Sequence, residues 1–376
     1  MNKFYLKDVA KIDISSVDKK SKENEQPIRL CNFIDVYNNW AISKKMYDKF
    51  MRATANQNEI NRYKLKKGMI AITKDSETRD DIGMSTYIAD SFEDVILGYH
   101  TALIIPNSSI VDSRYLNAYL NSTLGRKHFS NSASGSGQRY TLTIESIGNL
   151  AVYLPPLNIQ KKIGNLLSKI DRKLENNIHI NNNLEELAFN IYLHDFLGKK
   201  KNGKLENIII ENLKSSIQVG QAKDKKGQFP FFTSGDSVLE WSDFMVEGRN
   251  LYLNTGGNAD VKFYVGKASY STDTWCITAN DNMADYLYLM LKSIKVELNK
   301  KFFQGSGLKH LQKPLLKQEK IYIPSKEEIT EFNKVVQPMF DMIASNTREN
   351  KCLIELRDFL LPMLMNGQIN IDDVEI

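Results

Sequence analysis

The chain repeats itself at a constant offset, and this repeat constrains the fold more than any other feature of the sequence. The segment YLPP at 153–156 returns as YIPS at 322–325, so that Pro155 and Pro324 lie 169 positions apart. Each segment is followed by about 40 residues whose apolar positions recur every seven residues, which predicts a helix roughly 60 Å long. The sequence therefore predicts two copies of one structural unit in tandem.

The seven-residue spacing predicts that the two helices meet along an apolar seam. The copies agree position by position at the 169-residue offset, and asparagine interrupts both at the same two places. A polar residue in such a seam fixes the register of a helix pair at some cost in stability. The predicted seam residues are Ile163, Leu167, Ile170, Leu174, Asn177, Asn181, Leu184 and Ile191 in the first copy, and Phe332, Val336, Met339, Ile343, Asn346, Asn350, Leu353 and Leu360 in the second.

We expect the two helices to pack against each other as an antiparallel coiled coil. The alternative is that each helix packs on its own globular core. Ser325 and Glu328 predict a capping box at the start of the second helix, and Gly367 predicts its end. Pro338 lies inside this helix and predicts a kink or a delayed start, because proline cannot donate the helical hydrogen bond.

A more varied region precedes each helix. Both regions contain short strand-like runs, such as ILGYHTALIIP and GRNLYLNTGG, followed by an amphipathic helical stretch. The order of elements is shared while the residues largely differ, which predicts two α/β (α+β) domains in tandem, each followed by a long helix. The predicted boundaries are 1–155 for the first domain, 156–198 for the first helix, 199–324 for the second domain, 325–367 for the second helix and 368–376 for a C-terminal tail.

A Gly-Ser-Gly loop precedes the repeated segment in both copies, as ASGSGQRYT at 133–141 and FFQGSGLKHLQ at 302–312. Glycine lets backbone amides approach a phosphate closely, and arginine adds positive charge. In a major groove, Gln138 can reach an adenine edge and Arg139 a guanine edge, so the phosphate and base roles of Arg139 both stay open. The alternative for either loop is a flexible hairpin tip. The predicted DNA-binding residues are Ser134, Gly135, Ser136, Gly137, Gln138, Arg139 and Tyr140 in the first loop, and Gly305, Ser306, Gly307, Lys309 and His310 in the second.

Small polar residues follow predicted strands at two further places, TKDSETRDD at 73–81 and NTGGNADVK at 254–262. Strand ends of this composition often form binding surfaces, although solvated turns have the same composition. The net charge of +5 permits a polyanionic partner without requiring one. The additional predicted DNA-binding residues are Thr73, Lys74, Arg79, Asn254, Thr255, Asn258 and Lys262.

No catalytic residue and no metal ligand is predicted. The Gly-Ser-Gly loops lack the GxSxG context of a nucleophile elbow, and the sequence has no phosphate loop, dinucleotide fingerprint or HExxH motif. The histidines share no ligand spacing with Cys, Asp or Glu clusters, so they are predicted to be structural or exposed, except that His310 can donate toward a phosphate. These observations favour a binding protein over an enzyme.

The sequence also predicts a cytoplasmic protein. Its start, MNKFYLKDVAKID, breaks the apolar residues with charges, unlike a signal peptide, and no run of about 18 apolar residues could span a bilayer. Cys31, Cys276 and Cys352 are widely spaced within apolar runs, which predicts buried free thiols in a reducing compartment.

The order of elements resembles the specificity subunit of type I restriction-modification systems. The resemblance covers nearly the full chain and is most specific in LPPLNIQKKIGNLLSKIDRKLE, which looks like the central conserved region of that family. It implies two target recognition domains that read an asymmetric, bipartite site in double-stranded DNA, without catalysis by this chain. It also implies that the paired helices hold two modification subunits, and that restriction subunits can join the complex.

The resemblance further implies that the chain itself binds no cofactor. S-adenosylmethionine would belong to the adenine methyltransferase site of the modification subunits, and ATP and Mg²⁺ to restriction subunits. Two alternatives from other classes are a single-chain DNA methyltransferase or nuclease with its own reader, and a coiled-coil scaffold that binds only proteins. Methyl transfer by the isolated chain would favour the first, and a lack of salt-dependent DNA affinity would favour the second.

Overall fold

The structure is a computed structural model that describes residues 2–136, 139–223, 225–305, 307, 309–369 and 371. The chain divides into two compact units, which we call unit 1 (Met1–Glu175 with Cys352–Ile376) and unit 2 (Asn176–Lys351). Each unit contains one α/β module and one part of each long helix, because the division falls within both helices.

The module of unit 1 precedes the first long helix. Its strands are β1 (Asn2–Tyr5), β2 (Ala10–Ile14), β3 (Gln26–Cys31), β4 (Ala41–Ile42), β5 (Met51–Ala55), β6 (Ile70–Thr73), β7 (Asp75–Ser76), β8 (Ser85–Ile88), β9 (Val95–Leu97), β10 (Thr101–Pro106), β11 (Ser134–Ser136), β12 (Arg139–Thr141) and β13 (Ala151–Leu154). Its helices are α1 (Leu6–Val9), α2 (Phe33–Tyr37), α3 (Gln57–Tyr63), α4 (Ser113–Asn121), α5 (Thr123–Ser132) and α6 (Ile144–Gly148).

The central sheet of unit 1 is covered on both faces. Its strand order is β2-β10-β6-β8-β4, and β10 runs antiparallel to both β2 and β6. Along β6, Ile70 and Ile72 belong to one core cluster and Ala71 to another, as expected from side chains that alternate between the faces of a strand. The first cluster contains Tyr115 of α4, and the second contains Leu30 of the neighbouring sheet β5-β3-β9.

The module of unit 2 lies between the two long helices in the chain. Its strands are β14 (Gly203–Lys204), β15 (Ile209–Glu211), β16 (Phe229–Phe232), β17 (Val238–Trp241), β18 (Arg249–Asn254), β19 (Val261–Val265), β20 (Ser269–Tyr270), β21 (Thr274–Ala279), β22 (Phe303–Gln304), β23 (His310–Leu311) and β24 (Lys320–Ile321). The long helices of the chain are α7 (Leu157–Phe196) and α12 (Lys326–Asn366), and the helices between them are α8 (Val219–Ala222), α9 (Ala284–Ser293), α10 (Lys295–Glu297) and α11 (Lys313–Lys317).

Unit 2 repeats the architecture of unit 1. Its central sheet has the order β15-β21-β18-β19, and a second sheet has the order β17-β16-β20. Along β18, Leu251 and Leu253 face the larger core cluster, which contains Tyr286 of α9, while Tyr252 faces a smaller cluster with Phe232 of β16. The predicted pair of tandem α/β domains, each followed by a long helix, is confirmed.

The two long helices pair antiparallel through their asparagines. In unit 2, Asn177 Nδ2 donates to Asn350 Oδ1 at 2.9 Å, and Asn346 Nδ2 donates to Asn181 Oδ1 at 2.8 Å. Residue numbers rise along one helix as they fall along the other, so the helices run in opposite directions, as predicted. A buried amide needs a hydrogen-bond partner, and each asparagine finds it in the asparagine of the other helix.

The predicted seam residues are all buried or half-buried. In unit 1, Ile163 and Leu167 of α7 share a core cluster with Leu360 of α12. The same cluster contains residues of the unit 1 module, and Phe332 and Val336 of α12 likewise belong to the core of the unit 2 module. Each helix therefore packs on module cores as well as on the other helix.

The ends of α12 follow the sequence. Ser325 N donates to Glu328 Oε2 at 2.7 Å and Glu328 N donates to Ser325 Oγ at 3.2 Å, which completes the predicted capping box. Gly367 has a φ of +75°, and Gln368 N donates to Met363 O at 2.9 Å, as in a Schellman cap. The prediction of a delayed start is wrong, because the helix begins at Lys326 and runs unbroken through Pro338.

Two expectations about compartment have structural counterparts. Cys31 and Cys276 are buried free thiols, but Cys352 is exposed, because it lies on the outer side of α12 rather than in the seam. No helix in the described part of the chain is long and apolar enough to cross a membrane.

The asparagine pairs yield a stability test. Asn181→Leu should destabilise the protein by about 1–3 kcal/mol, because it leaves the Asn346 amide without its partner. The double variant Asn181→Leu/Asn346→Leu should recover most of this loss, since two apolar side chains then meet in the seam. The urea midpoint, followed by far-ultraviolet circular dichroism, measures both effects.

Asn182→Leu is the matched control, because Asn182 is an exposed asparagine of the same helix. It should change the stability by less than about 0.5 kcal/mol. A double variant as unstable as the sum of its single variants would show that the amide pair does not carry the coupling.

Candidate nucleic-acid interface

The first Gly-Ser-Gly segment begins in strand β11, which belongs to a hairpin that lies on a second predicted segment. Strands β11 and β12 pair with each other, and β12 pairs with β7, so that Tyr140 lies opposite Ser76 and Thr141 opposite Asp75. Leu142 N donates to Lys74 O at 2.7 Å and continues this pairing. The structure thus brings together two segments that the sequence proposed separately, ASGSGQRYT and TKDSETRDD.

The glycine at the start of this loop is required by the hairpin itself. Gly135 has a φ of +138°, and a Cβ built on it would lie 2.1 Å from the carbonyl oxygen of Arg139. Gly305 of the second loop has a φ of +151°, a backbone conformation that L side chains rarely adopt. The hairpin alternative therefore accounts for these glycines without any contact to phosphate.

Asp75 is the centre of a charged cluster at the base of the hairpin. Its Oδ2 lies 2.6 Å from His100 Nδ1, 2.9 Å from Lys74 Nζ and 3.3 Å from the NH2 nitrogen of Arg139. Burial raises the pKa of Asp75, but hydrogen bonds from Thr141, His100 and Lys74 outweigh it and lower the pKa to about 2. The carboxylate is therefore ionised at neutral pH and holds cationic and polar groups around it.

Two open clefts meet at this cluster. One has a volume of about 510 Å³ and the other about 650 Å³, and Asp75, His100 and Arg139 line both. The Arg79 guanidinium lies 5.1 Å from the centre of the Tyr140 ring, in a cation–π contact on the same hairpin. The cluster therefore lines two solvent-open concavities.

Unit 2 has the same backbone arrangement. Strands β22 and β23 form a hairpin, and His310 lies opposite Gly256 of the segment NTGGNADVK. Leu311 N donates to Thr255 O at 3.0 Å, as Leu142 N does to Lys74 O in unit 1. Both units therefore place a Gly-Ser-Gly hairpin on the loop that follows the central strand.

The side chains at equivalent backbone positions differ between the units. The hairpin register matches Gly256 to Asp75, and His310 to Thr141. Thr255 N donates to Asp273 O at 3.0 Å and Lys74 N to His100 O at 2.9 Å, which matches the exposed Asp273 to His100. The register also matches Lys309 to Tyr140. The two sites thus share a backbone and differ in charge.

Two predicted DNA-binding residues, Thr73 and Asn254, have structural roles instead. Thr73 is fully buried, and its hydroxyl accepts a hydrogen bond from Met84 N at 3.0 Å. Asn254 is also buried, donates to Gly256 O at 2.7 Å and accepts from Asp260 N at 2.7 Å. Burial keeps both side chains from reaching DNA, so they shape the loops beneath the hairpins.

Lys262 lies on β19 and binds the backbone that follows β16. Its ammonium donates to Thr233 O at 3.0 Å and to Gly235 O, and burial lowers its pKa. The Thr255 hydroxyl donates to Asp273 O at 2.9 Å. These contacts hold the loops next to the site together.

The remaining predicted site residues divide by exposure. Gly137, Gln138 and Ser306 lie outside the described residues, and Tyr140 and Lys74 are half-buried. The exposed ones are Arg79, Ser134, Gly135, Arg139, Asn258, Gly305, Gly307, Lys309 and His310, while Ser136 is described only as part of strand β11.

Three residues of the candidate site, Asp75, His100 and Asp273, were not predicted from the sequence. Asp75 lies within TKDSETRDD, whose other residues include three predicted contacts, and the spacing of His100 predicts a structural or exposed residue. His100 has a φ of +70°, which is uncommon for a residue other than glycine and is often found at functional sites. The available signal was positional, because His100 and Asp273 each directly precede a buried strand, β10 and β21.

Within the described residues, no group of three or more His, Cys, Asp and Glu side chains could hold a metal ion.

The fold and the repeated site define a class of protein. It carries two α/β modules in tandem, each with an exposed, polar hairpin site, and two long helices that pair antiparallel.

Comparisons with known proteins identify the family. A sequence model of the type I restriction modification DNA specificity domain matches residues 1–186 and 198–355. The HindI type I restriction enzyme specificity subunit of Haemophilus influenzae is 23% identical, across 81% of this chain and 87% of that protein. The MjaIX specificity subunit of Methanocaldococcus jannaschii is 21% identical, across 72% of each.

A solved structure supports the fold independently. The crystal structure of a type I restriction-modification S subunit from M. genitalium superposes with a TM-score of 0.63 at 15% identity, covering 96% of this chain and 95% of that one. The chain belongs to the type I restriction-modification DNA specificity family. The protein is accordingly a DNA specificity subunit, a non-catalytic recognition component, and the predicted resemblance is confirmed.

The ionised Asp75 should stabilise the fold in a pH-dependent way. Its pKa of about 2 lies below the ordinary value of 3.8, so its contribution is complete above about pH 4 and is lost as the pH falls through about 2. Asp75→Asn should therefore lower the thermal midpoint at neutral pH, and its difference from the wild type should shrink between about pH 4 and pH 2.

Differential scanning calorimetry at several pH values measures this difference. Asp48→Asn is the control, because the Asp48 carboxylate is 93% exposed and contributes little to stability. If the Asp75→Asn difference stays constant from neutral to acidic pH, the carboxylate does not stabilise the cluster through its charge.

Proposed function

We propose that each hairpin site contacts one half of an asymmetric, bipartite sequence in double-stranded DNA. The observation that carries this proposal is the repetition of one hairpin-on-loop backbone arrangement in both units with different side chains upon it. A shared backbone suits two sites that meet the same kind of polymer, and different side chains suit two different base sequences.

The residues at these sites have the chemistry that DNA requires. Arg79 and Arg139 are exposed in unit 1, as are Lys309 and His310 in unit 2. Cationic side chains neutralise phosphates and release counterions, which makes binding salt-dependent, with a slope of about −0.9 per phosphate contact. Gln138, Gly137 and Ser306, which lie outside the described residues, belong to the same proposed surfaces on sequence grounds.

The long helices are the proposed binding surface for two modification subunits. In unit 2, Val335 and Met342 of α12 lie one heptad apart and are 50% and 51% exposed. In unit 1, Leu356 and Phe359 of the same helix are 37% and 56% exposed. Apolar side chains repeated on the outer side of a helix favour a protein partner.

This proposal assigns the chemistry to other chains. S-adenosylmethionine would bind to the modification subunits, which methylate adenine, and ATP and Mg²⁺ to restriction subunits where these join the complex. This chain would bind no cofactor and would work in the cytoplasm, where the DNA is. Its own role would be to select the sequence and to position its partners on it.

Mapping of methylated adenines tests the proposed target. The chain is expressed with its modification subunits in a host that lacks them, and the methylome is compared with that of cells without this chain. We expect a motif of two unlike blocks separated by an unspecified gap. A continuous or palindromic motif would contradict the proposal, and methyl transfer by the purified chain alone would favour the single-chain enzyme.

The helix surface has its own test. Met342→Glu and Phe359→Glu should each weaken association with the modification subunits by at least about tenfold, because each buries a charge at an apolar contact. Size-exclusion chromatography with light scattering and titration calorimetry measure the association. Thr347→Glu, at an exposed polar position of α12, is the control. Equal affinities for all three variants would remove this face from the interface.

A further inference from the structure

We propose that Arg139 reads a guanine base and that Asp75 is the positioning residue that orients it. The proposal rests on the proposed function, since it names the chemistry by which the hairpin of unit 1 recognises its half-site. It also decides between the phosphate and base roles that the sequence left open for Arg139.

The Asp75 carboxylate contacts one end of the Arg139 guanidinium. The Asp75 carboxylate is buried, and its Oδ2 lies 3.3 Å from the NH2 nitrogen of Arg139, whose side chain is 58% exposed. The same nitrogen lies 2.5 Å from His100 Nδ1, so Asp75 and His100 together hold this end of the guanidinium. Arginine has five donors in a planar fork, so one nitrogen can be anchored while the others stay available. The outer part of the fork then faces the open clefts in a defined orientation.

An arginine held at one end suits recognition of guanine better than contact with a phosphate. Recognition of guanine requires two parallel hydrogen bonds to O6 and N7, and this geometry profits from a fork whose orientation is set before binding. Contact with a phosphate needs mainly charge, and the adjacent Asp75 carboxylate offsets part of the charge of Arg139. The pair therefore favours selective hydrogen bonding over attraction to the DNA backbone.

The equivalent hairpin of unit 2 has no carboxylate at the position of Asp75. The position of Asp75 is occupied there by Gly256, which has no side chain to anchor a neighbouring cation. Lys309 is exposed and makes no side-chain hydrogen bond or ion pair with the described residues around it. Lysine is a flexible point charge, which suits a phosphate contact. The equivalent hairpins thus divide between base reading in unit 1 and charge neutralisation in unit 2.

His100 completes the support of Asp75. Its Nδ1 lies 2.6 Å from Asp75 Oδ2, and Lys74 Nζ approaches the same oxygen at 2.9 Å. The carboxylate is thereby held from several sides and cannot rotate freely. The orientation of Arg139 then follows from a rigid base rather than from a mobile loop.

The test uses the complex of this chain with its modification subunits and duplexes that carry the mapped motif. Each guanine of the motif is replaced in turn by 7-deazaguanine, which lacks the N7 acceptor, and by adenine. At one guanine, wild-type binding should fall roughly 5- to 100-fold on replacement by adenine, and less on replacement by 7-deazaguanine. Arg139→Lys should abolish both penalties at that position while keeping the slope of affinity against salt.

Asp75→Asn tests the positioning role. It keeps the shape of the side chain but releases Lys74 and Arg139 from the carboxylate. Discrimination at the same guanine should fall at least about fivefold, while affinity for unrelated DNA rises and the salt slope steepens. A merely structural role would weaken binding to every duplex alike. Circular dichroism shows whether the Asp75→Asn variant is folded. If that variant is unfolded, Arg139→Lys still tests whether Arg139 reads a base.

Lys309→Ala is the matched comparison from unit 2. It should weaken binding to all duplexes equally and reduce the salt slope by about one, without changing any base preference. The inference is overturned if Arg139→Lys retains the guanine preference, if the Asp75→Asn variant discriminates like the wild type, or if the motif contains no guanine that Arg139 influences. Failure of the proposed function gives a different result, in which the wild-type complex shows no sequence preference at all.

Discussion

The hydrogen bonds between the asparagines of the two long helices set the register on which the remaining structure depends. Asn177 meets Asn350 and Asn181 meets Asn346, so each buried amide is satisfied by the other helix. A slip of one heptad would separate these asparagines and place most of their amides against apolar side chains, where they have no hydrogen-bond partner. Apolar seam positions tolerate many registers, whereas the amide pairs favour one. The helices also pack on the module cores, so their register influences how each module is supported.

The duplicated architecture separates support from recognition. In both units the central strand is buried on both faces, and the loop that follows it carries a Gly-Ser-Gly hairpin. The backbone hydrogen bonds that seat the hairpin are independent of side chains, so the exposed residues can change without loss of the fold. Asp75 in one unit and Gly256 in the other illustrate this freedom, because the same backbone position holds a buried carboxylate or no side chain.

The sequence predicted the segments that form the candidate site, but not the role of each residue within them. It selected both hairpins and both neighbouring segments, and these are brought together in each unit. It also selected Thr73 and Asn254, which are buried and support the loops, and it passed over His100. The same polar residue types occur at a strand end whether their side chains face solvent or stabilise a turn. Only the direction of each side chain distinguishes the two cases.

The sequence by itself determined the duplication, the two long helices, their antiparallel pairing and the family. The duplication and the long helices follow from periodicity and from a constant offset, which are properties of residue order along the chain. The family was indicated by the resemblance of the central segment, and the antiparallel pairing was an expectation that the asparagine hydrogen bonds confirm. The tertiary structure alone decided that Arg139, His100 and Asp75 form one cluster. These residues are brought together from three separate segments of the chain, and their contacts arise from strand pairing that no local pattern encodes. An ion pair between residues 64 positions apart is a property of the folded sheet.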